Sequence, residues 1–299
     1  MTQVATILAD PKTPVLTDDL AARLARELPD VAGIETLNPG VAVDIAFASG
    51  AVDPGVHEQA LRAAIGDAPL DVFVQNREGR RKRLLIADMD STMIGQECID
   101  ELAAMVGRKA EIAAITERAM RGELEFEPAL RERAAMLAGL DASVIDKVIA
   151  ENITLTPGAR TLVCTMRANG AYCALVSGGF TAFTDRIARA VGFHEHRANT
   201  LIIEDDKLTG KVGEPILGRE AKRQRLKELL SEQGLAAEAA LAVGDGANDL
   251  SMIELAGLGV AYHAKPAVGA AADARIEHGD LTALLYLQGY GVEEFAEVA

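Results

Sequence analysis

Two aspartates, Asp88 and Asp90, follow the apolar run LLIA at 84–87 with a single methionine between them. Carboxylates at the end of a buried strand lose hydration that apolar neighbours do not replace, so something must compensate them. In open α/β sheets, ligands bind beyond the carboxyl ends of the strands, and a two-residue step aims Asp90 to the same side as Asp88. Other pieces of the sequence fall at equivalent points. Ser177, Gly178 and Gly179 follow AYCALV, GDGAND at 244–249 follows ALAV, and Lys222 lies in the helix preceding that last strand. Three carboxylates (Asp88, Asp90 and Asp245), a lysine and a glycine-flanked hydroxyl suit a divalent cation and a phosphate.

Charge arithmetic sharpens this reading. If Asp88 attacks phosphorus, an anion approaches a group with up to two negative charges. At about 4 Å and an effective dielectric of about 20, each unit-charge pair costs on the order of 4 kcal/mol. Cations must offset that. Mg²⁺ held by Asp88, Asp245 and a backbone carbonyl supplies two positive charges, and Lys222 supplies one more.

The elements that must position these groups are legible from periodicity. Residues 1–82 read as βαββαβ, the order of a ferredoxin-like α+β domain, with Thr17 a candidate helix N-cap and no catalytic signature. From 83 to 299 strands and helices alternate, which predicts an α/β domain with a doubly wound parallel sheet. Four helical patterns at about 96–157 interrupt that alternation after its first strand, so they read as an insertion. Residues 198–212 read as a hairpin turning at Asp206 and Lys207.

The chain has 299 residues, 49% of them hydrophobic, and a formal net charge of −15. That charge argues against nonspecific nucleic-acid binding, which needs clustered Lys and Arg. The one basic run, REGRRKR at 77–83, reads as a linker or solvated cluster. No apolar run is long enough to span a bilayer, and the N-terminus lacks a signal-peptide pattern. Three cysteines without CxxC spacing suggest small buried hydrophobes, and a cytoplasmic location is expected.

DMDST at 88–92, SGG at 177–179, Lys222 and GDGANDLSM at 244–252 together resemble the four motifs of the haloacid dehalogenase superfamily. Within it, DxDST followed by Glu97, and FEPALRERAAML in the insertion, resemble the phosphoserine phosphatases. The N-terminal domain resembles ACT-like domains, although ADPKTPVLT stands where ligand-binding members carry a glycine-bearing loop.

The resemblance implies a hydrolase that releases serine and phosphate from O-phosphoserine as the last step of serine biosynthesis. Asp88 would be the nucleophile, and Asp90 the general acid and then base, its backbone carbonyl also facing Mg²⁺. Ser177 and the Gly178 amide would hold phosphate oxygens, Lys222 would stabilise the intermediate, and Asn248 would contact the phosphate side. Asp249 would orient Lys222 or the metal's waters. The insertion becomes a cap, on which Glu97 takes the substrate ammonium, Arg133 its carboxylate, and Phe126 shields the site. A homodimer through the N-terminal domain is also expected.

Plainer explanations exist for some of these residues. Glu97 suits a helix N-terminus on dipole grounds alone, and Arg133 lies in a polar stretch typical of a solvated face. GDGAND lacks the spacing of a calcium loop, and His194 and His196, read in a loop, receive no role. A phosphotransferase acting on another alcohol, or an amino-acid sensor, would share parts of the pattern.

Overall fold

The computed structural model describes residues 2–50, 52–121 and 123–297. Met1, Val298 and Ala299, at the ends of the expected domains, and Gly122, the expected end of a cap helix, lie outside them.

The N-terminal unit runs β1 (Thr2–Ala9), α1 (Asp18–Ala25), β2 (Val31–Asn38), β3 (Ala42–Ala48), α2 (Pro54–Ile65) and β4 (Leu70–Asn76). Its strands form an antiparallel sheet in the order β2-β3-β1-β4. Thr17 caps α1 by accepting the Leu20 amide at 3.2 Å, and Asp53 caps α2, with Pro54 in its first turn. Strand alternation sends Ala5, Ile7 and Ala9 toward the helices, where they pack with Leu24 and Leu61. Leu8 and Phe73 belong instead to the large core shared with the rest of the chain. Both faces of the inner strands are therefore covered, while the edge strand β2 stays largely exposed.

Polar contacts lock the two units together. The buried Asp71 carboxylate accepts the backbone amides of Glu277, His278 and Gly279 at 2.8, 3.1 and 2.9 Å. Arg80 reaches Asp44 at 2.6 Å, and Arg81 pairs with Glu294 at 2.7 Å while lying over the Tyr290 ring. Lys82 is buried, its ammonium on the Glu238 carbonyl. The basic run is thus an interface strap more than a solvated cluster. Replacing Asp71 with alanine strands three amides, and should destabilise the protein by about 3 kcal/mol, read as a lower urea midpoint.

The larger unit contains β5 (Leu84–Ala87), α3 (Cys98–Ala104), α4 (Lys109–Met120), α5 (Phe126–Ala135), α6 (Val144–Glu151), α7 (Ala159–Ala168), β6 (Tyr172–Phe180), α8 (Thr181–Val191) and β7 (Glu195–Asn199). It continues with β8 (Leu201–Glu204), β9 (Lys207–Val212), α9 (Arg219–Glu232), β10 (Ala240–Gly244), α10 (Leu250–Ile253), β11 (Leu258–Tyr262), α11 (Pro266–Ala271), β12 (Ala274–Ile276) and α12 (Ala283–Leu287). Six strands form a parallel sheet in the order β12-β11-β10-β5-β6-β7. The chain leaves β5 toward β6 on one side and returns to β10 on the other. That reversal opens a crevice at the carboxyl end of β5.

Two sequence expectations, the start of the hairpin and the loop placement of His196, need correction. Residues 195–199 form the edge strand β7, so the hairpin begins at Leu201, and His196 sits in a strand, where its Nδ1 meets Thr184 Oγ1 at 2.9 Å. EHRAN carries no apolar alternation because an edge strand buries little, and so it leaves no periodic signal. The helical insertion α3–α6 also has a third anchor besides its two ends. Gly139 donates to the Leu208 carbonyl, and Leu208 donates to that of Leu140, each at 2.8 Å, fastening it to the hairpin.

Candidate active site

Asp88 leaves the end of β5 with its amide on the Val243 carbonyl, which seats it between the two central strands. Its Oδ1 receives its neighbour Met89's amide at 2.7 Å and the Lys222 ammonium at 2.8 Å. Lys222, from the first turn of α9, is wholly buried and also donates to Asp249 Oδ1 at 2.6 Å. Burial alone would lower the Lys222 pKa, but Asp249 and Asp88 outweigh it and hold the pKa above its ordinary value. The other Asp249 oxygen accepts the amides of Asp245 and Gly246 at 3.2 and 3.1 Å. Asp249 thus braces both Lys222 and the turn after β10. Burial, with the Asp88 charge, pushes its pKa up to about 7.

Carboxylate oxygens of Asp88, Asp245 and Asp249 lie within 4.8 Å of one another. Asp245 is buried, accepts from Thr92 Oγ1 at 3.1 Å, and is pushed well above the usual carboxylate range by burial and by Glu97, Asp249 and Asp88. Such crowding of buried like charges fits a divalent cation with oxygen ligands. Since both Asp249 oxygens are engaged, Asp88 and Asp245 are the better placed donors. Asp90 is half-buried, and its Oδ1 has no hydrogen-bond partner among the described residues. Burial, then Glu97 and Asp88, push its pKa well up, favouring a protonated acid.

At the neighbouring strand end, β6 and β7 pair Val176 with Arg197 and next Phe180 with Asn199. Ser177, Gly178 and Gly179 therefore bulge out of the ladder toward the crevice, as bulges beside active sites do. Ser177 Oγ accepts the Gly179 amide at 2.9 Å. A Cβ on Gly178 would stand 2.8 Å from Phe126 Cζ, so only glycine allows the ring this close.

The insertion supplies the opposite wall. Glu97, ahead of α3, accepts from Ser91 Oγ at 2.6 Å, and Ser91 is held at φ 54. Burial, with the Asp88 and Asp100 charges, pushes Glu97 up to about 7. Arg133 is 6% exposed, so it does not lie on a solvated face, whereas its neighbour Arg131 pairs outside with Glu214. Arg133 Nε donates to the Ala129 carbonyl at 3.1 Å and Nη1 to Thr116 Oγ1 at 2.9 Å. Thr116 in turn donates to Asp100 at 2.8 Å.

A cavity of about 470 Å³ lies between these walls. Every residue expected from the sequence to act lines it, except Lys222, Asp245 and Asp249, which lie beneath. Ser91, Thr92, Thr116 and Asn199 are supporting residues that the sequence reading did not single out. Ser91 and Thr92 sat inside a quoted motif. Thr116 and Asn199 carry no spacing signal, because their partners are remote in sequence.

A strand-end carboxylate paired with a buried lysine, under a helical lid, defines a phosphoryl-handling hydrolase. Residues 85–254 match the haloacid dehalogenase-like hydrolase family, and the chain belongs to it. It is 41% identical over 293 residues to the phosphoserine phosphatase of Streptomyces coelicolor, covering 97% of this chain and 71% of that one. A haloacid dehalogenase family hydrolase from Salmonella enterica superposes with a TM-score of 0.82 at 30% identity, covering 96% and 98% of the two chains. A phospho-aspartyl intermediate analogue of phosphoserine phosphatase superposes with a TM-score of 0.66 at 40% identity, covering 69% and 98%.

Proposed function

We infer that this chain is a Mg²⁺-dependent phosphoserine phosphatase, cleaving O-phospho-L-serine to serine and phosphate. One observation carries the reading: a single cavity is lined both by phosphate-handling groups, Asp88, Asp90, Ser177, Gly178 and Asn248, and by an acid and an arginine, Glu97 and Arg133. That pair of opposite charges suits a small amino acid, whose ammonium meets Glu97 and whose carboxylate meets Arg133.

In the first half-reaction an Asp88 carboxylate oxygen attacks phosphorus while Asp90 gives its proton to the departing serine oxygen. In the second, water attacks the acyl phosphate, its proton returns to Asp90, and Asp88 is released. Lys222 lies against the attacking carboxylate, and Ser177, the Gly178 amide and Asn248 surround the phosphoryl oxygens. Mg²⁺ would be held by Asp88, Asp245 and the Asp90 carbonyl, and would supply positive charge where the phosphoryl group carries negative.

Arg133→Ala separates the amino-acid end from the phosphate end. Expected is a KM for phosphoserine raised about 100-fold, with hydrolysis of acetyl phosphate, which lacks the amino-acid part, changed less than threefold. Both assays should lose turnover in EDTA and regain it with Mg²⁺. Equal losses on the two substrates would refute the substrate assignment.

On this reading residues 1–82 are an ACT-like module that pairs two copies, and residues 83–299 the phosphatase. Edge strand β2 supports pairing, since it exposes Val31 and Ile34 beside unpaired backbone. Ile34→Lys should halve the mass measured by light scattering and leave kcat unchanged. No helix among the described residues is long and apolar enough to cross a membrane. A cytoplasmic setting fits the three free thiols, of which Cys98 and Cys173 are buried.

A further inference from the structure

Asn199 ends the edge strand β7 and is 2% exposed. Its amide nitrogen donates to the Gly178 carbonyl at 2.8 Å and to the Leu217 carbonyl at 3.1 Å. Its amide oxygen accepts the Leu217 amide at 2.6 Å. Each partner is where the chain leaves regular structure. The bulge at 177–179 takes Gly178 out of the sheet ladder, so its partly buried carbonyl needs another donor. Leu217 precedes Gly218, which caps α9, and the Lys222 amide donates to the Gly218 carbonyl in that first turn. One side chain therefore ties the bulge that carries Ser177 to the helix start that carries Lys222.

The same tie sets the seat of the lid. A Cβ on Gly178 would stand 2.8 Å from the Phe126 ring, and one on Gly218 would stand 3.2 Å from it. The ring thus fills a slot between two glycines whose backbones Asn199 holds in register.

We propose that Asn199 is a positioning residue for phosphoryl transfer, fixing Ser177 and Gly178 against Lys222 and holding open the slot that receives Phe126. It touches neither substrate nor the reacting atoms, and acts through those residues. The proposal rests on the phosphatase reading, which phosphoserine turnover by the wild-type protein tests first and separately.

The test compares wild type, Asn199→Ala and Asn199→Asp at a temperature where all three are folded. Inorganic phosphate and L-serine serve as inhibitors that report the phosphate-binding and the amino-acid-binding groups of the cavity separately. Asn199→Ala loses all three bonds. It should lower kcat about 30-fold and raise the Ki of phosphate at least 10-fold, with the Ki of serine within twofold of wild type. Asn199→Asp keeps the acceptor for the Leu217 amide but has no N–H for Gly178. It should hold its thermal midpoint better than the alanine variant yet show the same weakened phosphate binding. Should the alanine variant not fold, the aspartate variant decides the question alone. Asp71→Ala, which loosens an interface whose residues do not line the cavity, should leave kcat and both inhibition constants unchanged. A kcat within twofold of wild type in the Asn199 variants, or inhibition constants for phosphate and serine rising together, would overturn the proposal.

Discussion

Asp88→Asn should abolish phosphoserine turnover, by on the order of 10⁴-fold or more, without lowering the thermal midpoint. The two halves of that expectation have separate causes. An amide oxygen is a far weaker nucleophile than a carboxylate, and the acyl phosphate cannot form on it. Stability moves the other way, because Asp88 stands among the carboxylates of Asp90, Asp245, Asp249 and Glu97, and its charge helps raise the pKa of each of them. Removing one negative charge relieves that crowding, while Lys222 keeps its bond to Asp249. The measurement is phosphate release alongside a melting curve, with acid-quenched wild-type enzyme examined by mass spectrometry for one phosphoryl group on the peptide containing Asp88. Residual turnover near wild type, or a phosphoryl group on a different residue, would remove Asp88 from the centre of the mechanism.

The residues legible in the sequence are those whose role is written in neighbouring positions. LLIA followed by DMD gives both the strand and the carboxylates at its end, and GDGAND after ALAV repeats the logic. The βαββαβ order of the first unit follows from local periodicity and from the cap Thr17. Arg133 was ambiguous because its neighbours Arg131 and Glu132 are exposed; its burial comes from the insertion folding back over the crevice, a contact that local pattern does not encode. Asp71 and Asn199 were silent for the same reason. Asp71 satisfies backbone more than 200 positions away, and Asn199 satisfies a bulge and a helix start on either side of it in sequence. Polar side chains that serve distant backbone leave no periodic trace, whereas apolar faces do.

Lys222→Met should be both inactive and markedly less stable, and a second substitution should separate the two effects. Lys222 is the ammonium lodged between the buried carboxylates of Asp88 and Asp249. Methionine replaces most of its apolar stem but leaves two buried anions facing each other, a loss of about 3–5 kcal/mol. At roughly 2–4 °C per kcal/mol for a domain of this size, the melting temperature should fall by about 10 °C. In Lys222→Met/Asp249→Asn one of those anions is gone, and the asparagine oxygen still accepts the amides of Asp245 and Gly246. Much of the lost stability should therefore return. Turnover should not, because no ammonium then faces the phosphoryl group, and the double variant should remain at least 10³-fold below wild type in saturating Mg²⁺. Recovery of activity along with stability would reduce Lys222 to a structural counter-ion.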